Sequence, residues 1–251
     1  MKTSGSRNIK AIILNRQDYK EFDSLVSLYS LQAGRQTLLA RGTKKSGSKL
    51  AGHIEPLTLA DVMVISGRGF DYLGSAITRK SYPGLRADLN KLFFAGSAIN
   101  IFSRLVQENE PDKQVFDFLL FWLGSLDSLA LGGETTKEDG QFFWSFFVLQ
   151  LMSRLGYRPE LYKCLRCGQA LKTGGSRFQL LDSGLVCSVC LNNKNLDKQP
   201  VNHFFNVSDN CIKLARFFTD DHYHRVLKLR LEPELSGEIY QLTKKWLECS
   251  Y

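Results

Sequence analysis

The 251-residue sequence predicts an α+β chain of two parts: an N-terminal five-stranded OB-type β-barrel over residues 1–80, and an α-helical domain over 81–251 with a four-cysteine ribbon set into it at about 162–195. Three observations lead there. Short β-branched runs separated by turn residues fill the first eighty positions. Apolar residues recur with helical spacing from residue 83 onward. Two CxxC pairs lie nineteen residues apart near the middle of the second part.

The strands come first. Ile9–Leu14 is rich in β-branched residues, and Leu25–Leu31 alternates loosely up to Ala33-Gly34. Arg35–Arg41 follows within hairpin distance, so Gln32-Ala33-Gly34 reads as the turn. Leu57–Ser66 and Asp71–Thr78 are two further runs, divided by Gly67-Arg68-Gly69-Phe70. Five short strands with one long loop near the middle suit a small closed barrel.

The period changes at Ser81-Tyr82-Pro83. Pro83 is a helix-start signal, and Leu85, Leu89, Leu92, Phe93, Ile99, Phe102 and Val106 keep helical spacing to Glu108. Pro111 opens a second helix, stopped by Gly132-Gly133. A third runs from about Glu138 to Leu155 with apolar residues almost all round, which predicts burial on every face. These three are expected to form one bundle core. Helical signals resume at Ser208, an N-cap residue type, and again from Glu234 to Cys249.

Composition is that of an ordinary globular protein, 43% hydrophobic and 23% charged. The net charge is +8, and it is unevenly spread. Residues 1–80 hold 13 Lys and Arg against 6 Asp and Glu; the rest holds 20 against 19. The first part is therefore the one expected to meet a polyanion. Met1–Arg7 has no apolar run behind it, so no secretory signal is read there. Phe116–Leu131 and Phe142–Met152 are too short to span a membrane. The expectation is a cytoplasmic protein, in which paired cysteines point to metal rather than disulfides.

Cys164-Leu165-Arg166-Cys167-Gly168 precedes Cys187-Ser188-Val189-Cys190 by nineteen residues. Two residues between cysteines let a tight turn aim both sulfurs at one ion, and two such turns complete a tetrahedron. Asp182-Ser183-Gly184 is a turn signal that would fold the second pair back beside the first. The reading is Zn2+ on Cys164, Cys167, Cys187 and Cys190. The role is structural, because four thiolates leave no open coordination position for catalysis. Lys163, Arg166, Lys172 and Arg177 form its charged rim. Cys211 and Cys249 stand alone in helical patterns and read as small core residues.

The second motif is the basic loop from Gly42 to Lys49. It resembles a phosphate loop but has Ser48-Lys49 where the order must be reversed, and no helix follows. Nucleotide hydrolysis is therefore excluded. Arg41, Lys44, Lys45 and Lys49 instead suit a loop that tracks a phosphate backbone, with Arg35 and Arg68 close by in sequence. Tyr29, Phe70 and Tyr72 could stack bases if they face outward, or fill the core if they face inward. His53, His203, His222 and His224 make no metal pattern, and Asp220-Asp221 reads as a helix start. No catalytic constellation is found.

The chain resembles the bacterial recombination mediator family RecO nearly end to end. The resemblance rests on Ala11-Ile12-Ile13-Leu14, Tyr19–Asp23, Ala40–Lys45 and Glu55–Leu59 in the first part. Its most specific stretch is Leu155-Gly156-Tyr157-Arg158-Pro159-Glu160-Leu161 leading into Cys164–Gly168. It implies an OB fold, a helical domain with a zinc ribbon, and the same four cysteine ligands. It places the basic loop at Arg41, Lys44 and Lys45; Arg35, Lys49 and Arg68 are added from charge and position. It implies binding of single- and double-stranded DNA, annealing of complementary strands, and a bacterial, nucleoid-associated location. It implies three protein connections: RecR, the acidic C-terminal tail of single-stranded-DNA-binding protein, and RecA loading. The expected function is non-enzymatic mediation in DNA repair. The alternatives are a zinc-dependent enzyme on nucleic acid and an adaptor whose basic loop binds an acidic protein.

Overall fold

A computed structural model of the chain describes residues 5–129, 136–193, 203–220 and 223–250. Several expectations fall outside these: the Met1–Ser4 start, the Gly132-Gly133 stop, the last ribbon positions at 194–195, and Asp221 and His222. The chain divides into two compact units, Met1–Glu134 and Thr135–Tyr251.

In the first unit β1 (Ser6–Tyr19), β2 (Asp23–Ser30), β3 (Gly34–Ala40), β4 (Leu59–Ile65) and β5 (Tyr72–Lys80) close into a barrel in the order β1-β2-β3-β5-β4. Closure depends on the length of β1. Its first half pairs with β4 from Ser6 to Ile12, and its second half pairs with β2 from Ala11 to Tyr19. A bulge between Ile13 and Asn15 bends the strand from one neighbour to the other. Side chains alternate across each strand, so Ile9, Ala11, Ile13, Val26, Leu28, Leu38, Val62 and Val64 meet inside as one apolar core.

The expected first helix is two. α1 (Pro83–Arg86) ends before Asp88, and α2 (Leu89–Leu105) starts there because the Asp88 carboxylate accepts from the N–H groups of Asn90 and Lys91. Periodicity alone runs through this break, since Leu85 and Leu89 keep helical spacing across it. α3 (Lys113–Ser128) is capped in the same way by Asp112, one residue after Pro111. The barrel is bound to these helices by Tyr29, which is fully buried. Its ring meets Phe102 edge-on at 5.0 Å, and its hydroxyl accepts from the Asp112 N–H at 3.1 Å. Tyr29 is thus a core residue and not a stacking platform.

In the second unit α4 (Lys137–Arg154) is buried at every position from Gly140 to Met152. Its partners there are α6 (Asp209–Thr219) and α7 (Pro233–Ser250). This corrects the expected grouping of α4 with the two preceding helices: spacing shows that a helix is buried all round, but not by which neighbours. β6 (Arg177–Gln179), β7 (Gly184–Val186), the one-turn α5 (Ser188–Asn192) and β8 (Phe204–Asn206) build the ribbon, with sheet order β7-β6-β8. Trp246 of α7 fixes it: its ring packs on Phe178 at 6.0 Å, and its indole N–H donates to Ser183 Oγ at 2.8 Å. Asp220 closes α6 rather than opening a helix. Cys211 is buried as expected, whereas Cys249 is exposed on α7. No helix among the described residues is long and apolar enough to cross a membrane.

Candidate nucleic-acid interface and metal centre

Cys164, Cys167, Cys187 and Cys190 come together, with all four sulfurs within 4.8 Å of one another. Two tight turns do this. The Gly168 N–H donates to the Cys164 carbonyl at 2.9 Å while Gly168 takes φ +68°, so the chain after Cys167 reverses at once. The β6–β7 hairpin returns Cys187 alongside, and the Leu165 N–H donates to the Leu185 carbonyl. A zinc ion with sulfur ligands at about 2.3 Å spans a tetrahedron with edges of about 3.8 Å. The Cys167–Cys187 sulfur separation is 3.9 Å, and the donor set is four thiols with no competing carboxylate or imidazole among them. The residues fit a closed four-thiolate site.

The electrostatics agree. Burial raises the Cys164 thiol, but N–H groups of Cys187, Cys167 and Arg166 aimed at its sulfur outweigh that and bring it down to about 6. Cys190 is pushed up to about 12 by burial and by the three neighbouring thiols. The lowered Cys164 thiol is the one primed to ionise, and a bound dication would displace the protons that its ligand thiols hold. Arg166 lies at the rim, its guanidinium donating to the Cys190 carbonyl and resting 5.6 Å from the Phe204 ring centroid. Lys163, Lys172 and Arg177 are exposed.

At the barrel, the structure gathers part of the basic set. Thr43 is buried against Ser24, with the two hydroxyls 2.7 Å apart, so the loop after β3 is anchored at its root and free to present its lysines. Arg41, Lys44 and Lys45 come to the end of the barrel beside the β1–β2 turn. Lys44 pairs with Asp18 at 3.2 Å, Lys45 sits over the Phe22 ring at 5.6 Å, and Arg41 lies 4.5 Å from the Tyr72 ring centroid and donates to its hydroxyl. Lys49 and Arg68 are exposed further along the two loops. Arg35 is directed elsewhere: its guanidinium donates to the Val106 carbonyl at 2.9 Å and pairs with Glu108 at 3.1 Å.

Tyr19, Lys20 and Phe22 are part of this end of the barrel; their stretch carries the family resemblance, but charge and spacing do not mark them as site residues. The Lys20 ammonium sits 5.4 Å from the Tyr19 ring centroid, and Tyr19 meets the exposed Phe70 edge-on at 6.1 Å. Their signal in the sequence is an aromatic on each side of a turn with a lysine between, at a place where strand alternation stops. Lys20 takes φ +54°, which fixes that turn. His53 is structural, with its Nδ1 2.9 Å from Thr78 Oγ1.

Positive charge interleaved with partly exposed rings at one end of a barrel can contact both the phosphates and the bases of a single strand. Comparison with known proteins gives the family. Residues 1–82 match the family model for the recombination protein O N terminus, and residues 86–251 match that for its C terminus. The DNA repair protein RecO of a Roseiflexus species is 31% identical over 238 residues, 95% of this chain and 78% of that protein. The RecO protein of Geobacter metallireducens is 31% identical over 74% of this chain and 72% of its own length. That of Bacillus pumilus is 28% identical over 93% and 84%. With both halves matched, and in chain order, the chain belongs to the recombination protein O family, the RecO proteins of DNA repair.

Proposed function

We propose that the chain is a non-enzymatic recombination mediator that binds DNA through its barrel, residues 1–80, and holds structural zinc on Cys164, Cys167, Cys187 and Cys190 in its helical part, residues 81–251. The observation that carries the DNA reading is the grouping of Arg41, Lys44 and Lys45 with Tyr19, Phe22 and Tyr72 at one end of the barrel. Lys49 and Arg68 extend the charged surface. Arg35 takes a smaller share, because the Val106 carbonyl and Glu108 already hold it. Phosphate contacts dominate affinity, so binding to single or double strands weakens steeply with salt. Annealing follows from neutralising two strands while leaving their bases free to pair. Membership of the family supports cooperation with RecR, with the acidic tail of single-stranded-DNA-binding protein and with RecA loading in the bacterial cytoplasm.

The test is fluorescence anisotropy of a labelled single-stranded oligonucleotide at several salt concentrations, wild type against a Lys44→Ala, Lys45→Ala, Lys49→Ala triple variant. The slope of log affinity against log salt is expected to fall by about two to three units in the variant. An unchanged slope places the DNA surface elsewhere. No binding by the wild type near physiological salt makes the chain a protein adaptor.

A further inference from the structure

We propose that the cleft between β3 and β5 receives one unpaired nucleobase of a bound single strand, with the Tyr72 ring as its stacking wall. The inference rests on the reading of the barrel as a DNA-binding module and specifies where a base goes. β3 and β5 run parallel and meet at a single register pair, Leu39 with Tyr72. Past that point the strands separate and leave a cleft of about 560 Å³. Leu39, Leu50, Ile65 and Leu73 give it an apolar lining, and Arg41 adds one cationic group. Gly74 keeps part of it open, since a Cβ there would come within 2.7 Å of Ile65 Cδ1.

The wall is held in place. A Cβ on Gly67 would lie 2.1 Å from the Phe70 carbonyl oxygen and 2.7 Å from Tyr72 Cε2, so only glycine lets the β4–β5 loop run against the edge of that ring. The Leu39 N–H donates to the Asp71 carbonyl, and the Gly67 N–H donates to the Asp71 carboxylate. Arg41 then fixes the phenol, with its guanidinium both near the ring and bonded to the hydroxyl. A positioned ring beside an apolar slot suits a flat, uncharged, polarisable group. The exposed Arg68 and Lys49, beside the lining in sequence, suit an anionic chain attached to that group. A nucleobase on its phosphate backbone has both properties. A base inside a duplex has its faces already stacked, so the cleft selects single strands.

The test measures full-length protein binding to a labelled oligothymidylate and to an abasic tetrahydrofuran strand of the same length. Tyr72→Leu is expected to cost about tenfold more affinity on the base-bearing strand than on the abasic one. Tyr72→Phe restores the difference, because the ring remains. Gly74→Val, which narrows the cleft two residues along β5 by crowding Ile65, is expected to act like Tyr72→Leu and keeps the test valid if that variant folds poorly. Equal losses on both strands would overturn the inference and leave Tyr72 as a support for Arg41. A base-to-abasic ratio unchanged in both cleft variants would overturn it too, and would leave the slot to an apolar side chain of a partner. If the wild type binds neither strand, the DNA reading itself fails; if it binds both with a normal salt slope, only the base receptor is in question.

Discussion

Gly34 ends the β2–β3 hairpin at φ +66°, and a Cβ there would stand 2.5 Å from the backbone carbon and oxygen of Glu110. Two independent costs therefore act on Gly34→Ala: left-handed backbone for an alanine, and a collision with main chain that cannot rotate away. The expected loss is about 2–4 kcal/mol of stability, read as a lower denaturation midpoint. Arg35, next in sequence, docks the same hairpin on the chain between α2 and α3. Arg35→Ala is expected to lower stability more clearly than it lowers the salt slope of DNA binding. At the entry to the ribbon, Glu160 Oε1 accepts from the N–H groups of Lys163 and Tyr162, and these bonds hold its carboxyl below the ordinary glutamate value of 4.5. A lowered folded value adds stability that is present above pH 4.5 and lost as pH falls through the lower one. Denaturation of wild type and Glu160→Gln should therefore separate at pH 7 and converge on acidification below 4.5.

α4 shows what a sequence pattern carries at the scale of an element. Its run of Phe142, Phe143, Trp144, Phe146 and Phe147 leaves no polar stripe, and burial all round follows from that directly. Ser145, buried within it, is satisfied: it donates to the Gln141 carbonyl and accepts from Thr243 of α7. Phe146 is fully buried and meets Phe218 at 5.4 Å. Phe146→Ala should cost about 3–5 kcal/mol, measurable by chemical denaturation, because a fully buried, close-packed site has little room to collapse. The partners of α4 are not legible, since α6 and α7 lie beyond the ribbon and periodicity has no range. The strands were legible because turns and alternation are local signals. The break at Asp88 was hidden, because a cap depends on one side chain turning back to the backbone while the apolar spacing runs on.

For the molecule as a whole, charge and cysteine spacing carry different amounts of the site. Thiol positions in a knuckle are set by a few bonds of chain, so the CxxC pairs locate the metal centre almost completely. The candidate nucleic-acid surface is assembled from loops distant in sequence, so the grouping of Tyr19, Lys20 and Phe22 with the basic loop shows only where the β1–β2 turn meets the loops after β3 and β4. The two features also lie in different units, and nearly all the excess charge sits in residues 1–80. That separation has a consequence for metal removal. Stripping the ion leaves four thiols crowded together in a ribbon whose short strands offer little other stability. Chelation, or Cys187→Ser, should release one zinc per chain by metal analysis and lower the thermal stability of residues 135–251. The salt slope for oligonucleotide binding should stay within about one unit of wild type, because the cations proposed to contact DNA lie on the other unit. A slope that collapses with the metal would instead put the Lys163, Arg166, Lys172 and Arg177 rim on the DNA.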